Sequence, residues 1–122
     1  MEPLHLHRWD VTPAEARQIQ ADLAPSVIRE GSPAPVGTIA GVDVSAGRRG
    51  TRARGAVVLL SYPDMEILDV EVVETVTPFP YVPGLLSFRE TPVLREAFAR
   101  IAGPIDLLLV DGQGLAHPRR FG

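Results

Sequence analysis

The chain has 122 residues, of which 45% are hydrophobic and 22% are charged, and its formal net charge is −3. This length and composition are typical of a soluble globular chain with one core, so we treat residues 1–122 as a single domain. There is no long apolar run for a membrane span or a signal peptide and no cysteine for disulfides or thiolate metal sites, so we expect a cytoplasmic protein without membrane contacts.

The amino-terminal part predicts an irregular arm followed by a helix. Trp9 is expected to attach the arm, residues 1–11, to the core. Thr12 can cap a helix, Pro13 suits its first position and Glu15 completes a capping box. Pro25 should bend or end this helix. Its buried stripe is predicted at Ala16, Ile19, Leu23 and Val27.

Three strands are predicted next, at residues 36–45, 54–62 and 65–76, and the short turns between them favour antiparallel pairing. The third strand alternates valines with acids, as expected for a sheet with one solvent-facing side. The loop at residues 47–55 is rich in arginine, as is the end of the chain. For Arg48, Arg49, Arg52 and Arg54 a solvated loop is favoured over a phosphate site, although arginine forks suit phosphate.

Asp43 is a charged residue inside the first apolar strand. Burying a carboxylate without a partner is costly. Exposure at a sheet edge and a metal-ligand role both account for it, and the residue pattern leaves the two open.

A proline-rich segment, residues 77–84, separates the strands from the second helical region. Its prolines stiffen the chain. We expect Phe79 to pack into the core and Tyr81 to stand exposed. An exposed apolar side chain on a stiff segment can act as a wedge that unstacks nucleic-acid bases.

The remaining pattern predicts helix and then strand. Residues 85–90 indicate one helical turn, and Thr91 with Pro92 indicates the start of a separate helix that ends at Gly103. A buried strand at residues 105–110 should lie parallel to an earlier strand after a right-handed crossover. The buried helix face is predicted at Val93, Leu94, Ala97, Phe98 and Ile101.

This order predicts an α/β fold, a ribonuclease-H-like mixed sheet of three antiparallel strands, a helix and a parallel strand, with an additional N-terminal helix. The first and last strands are then neighbours, which brings Asp43 beside Asp111, and Glu90 can reach the same point. Three carboxylates repel one another unless a cation is present. Magnesium prefers oxygen ligands, so a Mg²⁺ site is predicted; one ion or two could bind.

The end of the chain places His117, Arg119 and Arg120 after the Asp111-Gly112 turn, where an anion could be met. His117 could orient water or contact phosphate, or be a hydrogen-bonded loop histidine. The Gly112-x-Gly114 pair does not continue into a dinucleotide-binding fingerprint, because His117 stands where the third glycine is needed.

Several of these segments together resemble the endonuclease V family. They are residues 39–45 (IAGVDVS), 80–90 (PYVPGLLSFRE) and 110–122 (VDGQGLAHPRRFG), with a further likeness at 6–10 (LHRWD). The resemblance implies a magnesium-dependent endonuclease of DNA repair, with Mn²⁺ as a substitute. Such enzymes nick DNA or RNA 3′ to deoxyinosine or inosine, the product of adenine deamination, one phosphodiester beyond the nearest bond.

The resemblance also implies site residues. Asp43, Glu90 and Asp111 match the metal-binding carboxylates, and His117 matches a catalytic residue near the scissile phosphate. Tyr81 matches the strand-separating wedge. Substrate-binding residues are expected at Gly84, Leu86, Gly112 and Arg119. Gly84, Leu86 and Gly112 match positions that line a pocket for a flipped base. Flipping a base costs least where its pairing is already damaged.

The family continues past the position that corresponds to Gly122, with a lysine-bearing segment, so we expect an amino-terminal portion whose fold is incomplete and whose activity alone is weak or absent. Apolar surface of residues 57–60 and 107–110 should be poorly shielded on such a half-covered sheet and should make the chain self-associate. A non-catalytic nucleic-acid-binding module and a structural fragment without activity are the alternative interpretations.

Overall fold

The computed structural model describes residues 1–46 and 52–122, so Arg48 and Arg49 lie outside the described residues. Four strands form one sheet in the order β3-β2-β1-β4. The helices are α1, Pro13–Leu23, and α2, Leu86–Arg100; the strands are β1, Thr38–Ala46, β2, Arg52–Ser61, β3, Ile67–Val76, and β4, Leu107–Leu109. The β1–β2 and β2–β3 pairs are antiparallel and β1–β4 is parallel, as predicted. None of the helices in these described ranges is long and apolar enough to cross a bilayer.

The start of α1 follows from local sequence alone. The N–H of Glu15 donates to Oγ1 of Thr12, and the N–H of Thr12 donates to Oε1 of Glu15, each at 3.2 Å. Both halves of the predicted capping box are therefore present. The buried side of α1 differs from the prediction, because Gln20 is buried beside Ala16 while Val27 lies beyond the helix and is exposed.

α2 is one continuous helix, so the predicted break before Pro92 is wrong. Pro92 has no N–H and leaves the Phe88 carbonyl without its helical donor. Both halves of α2 nevertheless bury apolar side chains, Phe88 in the first and Val93 and Leu94 in the second. This packing outweighs the cost of the proline.

α2 covers one face of the sheet, where the main core lies. Val57 and Leu59 of β2, Val73 of β3 and Ala97 of α2 are buried there. A second, smaller cluster joins Phe79, Leu85 and Phe88 to the amino-terminal arm through Trp9, whose ring centroid is 5.5 Å from that of Phe88. The predicted roles of Trp9 and Phe79 are confirmed.

The opposite face of the sheet is open among the described residues, as the expectation of one solvent-facing side implies. The apolar pattern of residues 105–110 alone predicts burial, which is wrong, whereas the poor shielding expected for residues 107–110 is confirmed: Leu108, Leu109 and Val110 are 41%, 55% and 60% exposed. The same expectation for residues 57–60 is wrong, because Val57 and Leu59 are buried. In β3 the valines at 70 and 72 occupy the solvent side, about half exposed, while Val73 packs under α2. No described segment covers this side of the strands.

Candidate active site

The parallel pairing of β1 with β4 brings two of the predicted carboxylates toward each other. Gly41 lies opposite Leu109 in the ladder. Continuing that register by two residues puts Asp43 opposite Asp111, just past the carboxyl end of β4. Both aspartates are exposed, Asp43 in the second half of β1 and Asp111 beyond β4, toward the carboxyl ends of strands, where open α/β sheets bind ligands.

Glu90 joins this pair from the first turns of α2, where its side chain is half-buried. Burial raises the pKa of the Glu90 carboxyl, and the negative charges of Asp43 and Asp111 raise that pKa further, whereas Arg89 opposes them. Three acids that are distant in sequence therefore share one electrostatic environment.

The three carboxylates do not converge into a finished metal site. Oδ1 of Asp43 accepts the N–H of Val44 at 2.9 Å. In the part of the chain that the structure describes, no three acidic or histidine side chains are arranged to hold an ion. The donors are all carboxylate oxygens, which fits Mg²⁺ chemically, but these side chains would have to move to coordinate it.

The carbonyl oxygen of Gly84 is the centre of a second cluster beside the proline-rich segment. It accepts from Nε2 of His117 at 2.7 Å, Nε2 of Gln20 at 2.9 Å and Nη2 of Arg119 at 3.3 Å. Nδ1 of His117 accepts the N–H of Arg119 at 3.0 Å, so the ring proton resides on Nε2 and is donated to Gly84. Of the two alternatives for His117, the ring in this structure has the hydrogen-bonded arrangement.

Gln20 was not identified from the sequence, although it is only 1% exposed. Its Oε1 accepts from Nε of Arg119 at 2.7 Å, and its Nε2 also reaches the carbonyl of Phe121 at 3.4 Å. The available signal was its position four residues after Ala16, on the buried side of α1. Gln20 thereby connects α1 to Gly84 and to the end of the chain.

Glycine is required at position 84 for two reasons. Its φ of +82° is rarely adopted by other residues, and an added Cβ would lie 2.9 Å from Nη2 of Arg119 and 3.2 Å from Nε2 of His117. The side chains of this cluster thus approach the backbone directly.

The other end of the proline-rich segment is attached to α2. Nη1 of the buried Arg89 donates to the carbonyl of Phe79 at 2.7 Å, and Oγ1 of Thr77 donates to the carbonyl of Arg89 at 3.1 Å. Between these contacts and Gly84, Tyr81 is 69% exposed, as predicted. An aromatic side chain is therefore presented to solvent by a segment that is fixed at both ends.

The remaining predicted substrate-binding residues lie near this segment or near the strand ends. Leu86 is the first residue of α2 and is 45% exposed. Gly112 is exposed and directly follows Asp111, and a Cβ there would lie 3.5 Å from the Gly122 carbonyl oxygen. The structure brings Gly84, His117 and Arg119 into contact and couples the three acids electrostatically.

Comparison with known proteins identifies the family. The family model for endonuclease V matches residues 21–122. The endonuclease V of Dehalococcoides mccartyi is 50% identical over 117 residues, which cover 96% of this chain and 52% of that protein. The chain thus spans about half the length of the curated relatives it matches.

Solved structures agree with this assignment. The endonuclease V from Streptomyces avermitilis superposes with a TM-score of 0.83 at 38% identity, over 93% of this chain and 51% of that one. A Ciona intestinalis endonuclease V, solved with a 23mer DNA containing an inosine followed by a ribo-adenosine, gives 0.76 at 30% identity, over 92% of this chain and 52% of that one. These likenesses confirm the predicted ribonuclease-H-like fold with its N-terminal helix, and the chain belongs to the endonuclease V family.

Proposed function

We propose that residues 1–122 form one domain of a metal-dependent endonuclease that nicks DNA or RNA 3′ to inosine or deoxyinosine. The observation that carries this proposal is that burial and the charges of Asp43 and Asp111 raise the pKa of the Glu90 carboxyl, because acids clustered in this way suit a divalent cation. Family membership supports the same nuclease class.

In this proposal Asp43, Glu90 and Asp111 hold Mg²⁺, or Mn²⁺ in its place. The bound ion would polarise the scissile phosphodiester and generate a water-derived nucleophile at neutral pH. The protein's own contribution is to keep three acids at one strand edge, on separate elements, so that their charge is available to the ion.

The base-reading part of the site comprises Tyr81, Gly84, Leu86 and Gly112. Tyr81 is exposed and mounted on a fixed segment, which supports a role as a wedge between bases. Gly112 is exposed and Gly84 is half-buried, and hypoxanthine presents one carbonyl and one N–H that backbone partners can read. His117 and Arg119 contribute by holding the Gly84 carbonyl, so we assign them to positioning this loop.

The test uses a labelled oligonucleotide with one inosine, with and without Mg²⁺. With the 122-residue chain we expect weak cleavage at the second phosphodiester 3′ to inosine, abolished in Asp43→Ala and retained in Asp64→Ala, whose aspartate lies in the turn between β2 and β3. Cleavage of equal rate in Asp43→Ala, or at positions unrelated to inosine, would contradict the proposal.

A non-catalytic nucleic-acid-binding module is the second candidate. Two observations favour it: the acids do not yet converge on a metal position in the described residues, and the chain covers about half of its relatives. Inosine-selective binding without cleavage, unchanged in Asp43→Ala, is the result expected for this alternative.

We also propose that the chain self-associates through the open face of the sheet. Val70, Val72 and Val76 of β3 are about half exposed and adjoin an unpaired strand edge. Sedimentation at increasing concentration should show assembly that Val70→Thr with Val72→Thr weakens, since threonine keeps the shape and adds a hydroxyl. A chain that stays monomeric over the whole range would refute this.

A further inference from the structure

A groove lies between the end of α1 and the carboxyl-terminal segment. It has a volume of about 390 Å³, within the size range of ligand sites. Arg29 comes from the chain after α1, and Arg119 and Arg120 come from the carboxyl-terminal segment. The other lining residues are apolar, among them Ala21, Pro25 and Leu115, and none is acidic.

The three groove arginines form no ion pair with any residue that the structure describes. The ion pairs among the described residues involve Arg8, Arg52 and Arg54, and no carboxylate lies within ion-pair distance of a groove arginine. The chain as a whole has a net charge of −3, so the concentration of positive charge in this one concavity is a local feature. Unpaired guanidinium groups around a groove favour an anionic ligand with several oxygens.

Two of these guanidinium groups are oriented by protein acceptors. Nη1 of Arg120 donates to the carbonyl of Leu115 at 3.1 Å. Arg119 donates to Gln20 and to Gly84. A guanidinium carries five N–H donors, so each keeps donors for a ligand after these contacts are made.

Arg119 also gives the groove its position relative to the candidate active site. It lines the groove and at the same time contacts the Gly84 carbonyl at 3.3 Å. A strand whose base is read at Gly84 would therefore have its neighbouring phosphates close to the groove.

We propose that this groove binds the sugar-phosphate backbone of the nucleic-acid strand beside the base that is read at Gly84. This inference rests on the proposed function and adds the path of the strand. Because phosphates are the ligand, Arg29 and Arg120 contribute equally to strands with and without inosine.

The experiment measures binding of the 122-residue chain to a fluorescent single-stranded oligonucleotide without inosine, over a range of salt concentrations. Affinity falls as salt rises, so the slope of log affinity against log salt is negative. Each of Arg29→Gln and Arg120→Gln should make this slope less negative by about 0.7. The ratio of the affinity of the unmodified chain to that of the double variant should fall about sevenfold as salt rises from about 50 to about 200 mM. Arg52→Gln is the matched control, because Arg52 is already paired with Glu74 at 3.3 Å, and its slope should not change.

Three results would overturn the groove assignment: an unchanged slope in the double variant, a loss restricted to inosine-containing strands, or no binding of the plain strand at low salt. Both side chains are exposed, so we expect the variants to melt at the same temperature as the unmodified chain. Matching thermal melts would exclude unfolding as the cause of a changed slope. The proposed function is tested separately, by comparing the affinities for strands with and without inosine. If the unmodified chain shows the expected salt dependence but no preference for inosine, the result counts against the base-reading site and not against the groove.

Discussion

Replacing Gln20 by methionine tests whether the cluster at Gly84 fixes the loop. Methionine keeps the length of the side chain and fills its space, so the change removes mainly hydrogen bonds. The amide of Gln20 accepts from charged Arg119 at 2.7 Å and donates to Gly84 at 2.9 Å. A hydrogen bond to a charged group contributes about 1.5–3 kcal/mol and a neutral one about 0.5–1.5 kcal/mol. We expect a loss of about 2–3 kcal/mol in the free energy of unfolding, allowing for the apolar burial that methionine gains.

For a domain of this size the loss corresponds to a drop in Tm of about 8–12 °C, measured by calorimetry or circular dichroism. Gln18→Met is the matched control on the same helix, because Gln18 is exposed and its side chain bonds, within the described ranges, to Asp22 alone, at 2.8 Å. Its cost should stay below about 0.5 kcal/mol. Equal shifts in the two variants would refute the reasoning, as would simple additivity of Gln20→Met with Arg119→Met, because contacting residues should couple.

The remaining predictions concern backbone fit and ionisation. Gly84→Ala should destabilise the chain more than Gly31→Ala in urea titrations, because both have positive φ but only Gly84 would bring a Cβ within 2.9 Å of Arg119. Glu90→Gln should melt higher than the unmodified, metal-free chain at about pH 7, and the difference should vanish in acid. The sign follows from the raised pKa of Glu90: the carboxyl is protonated at no cost below its unfolded pKa, and the cost of ionisation appears as pH rises through the folded pKa. Asp106→Asn should behave oppositely. Backbone N–H groups at the start of β1 lower the pKa of Asp106, so its stabilising effect is present above the unfolded pKa and is lost as pH falls through the folded pKa, which acid titrations of both proteins will show.

Local patterns predicted those parts of the fold whose causes are local. The capping box of Thr12 and Glu15 involves residues three apart and formed as expected. Pro92 misled the helix prediction, because the packing that holds α2 together comes from strands far away in sequence. Whether a strand is buried depends on what covers it, so the exposure of β4 could not be read from its leucines.

The same distinction applies to the candidate site. Asp43 and Asp111 could be placed together because the strand order makes β1 and β4 neighbours, and Glu90 because it lies on the helix that leads into β4. Gln20 could not be found this way, because its partners Gly84 and Arg119 lie 64 and 99 residues along the chain. A polar residue on a helix's apolar side is the pattern that deserves a search for such distant partners.

Attachment of the proline-rich segment at Phe79 and at Gly84 has a kinetic consequence. The conformational entropy of this loop is lost during folding, so a nucleic-acid strand bound as in the proposed function would not have to order it. The association rate constant should then be similar for competing strands, and selectivity should arise from a slower dissociation rate of the correct complex. Lifetimes of single bound complexes, more than their rates of formation, would distinguish one base from another.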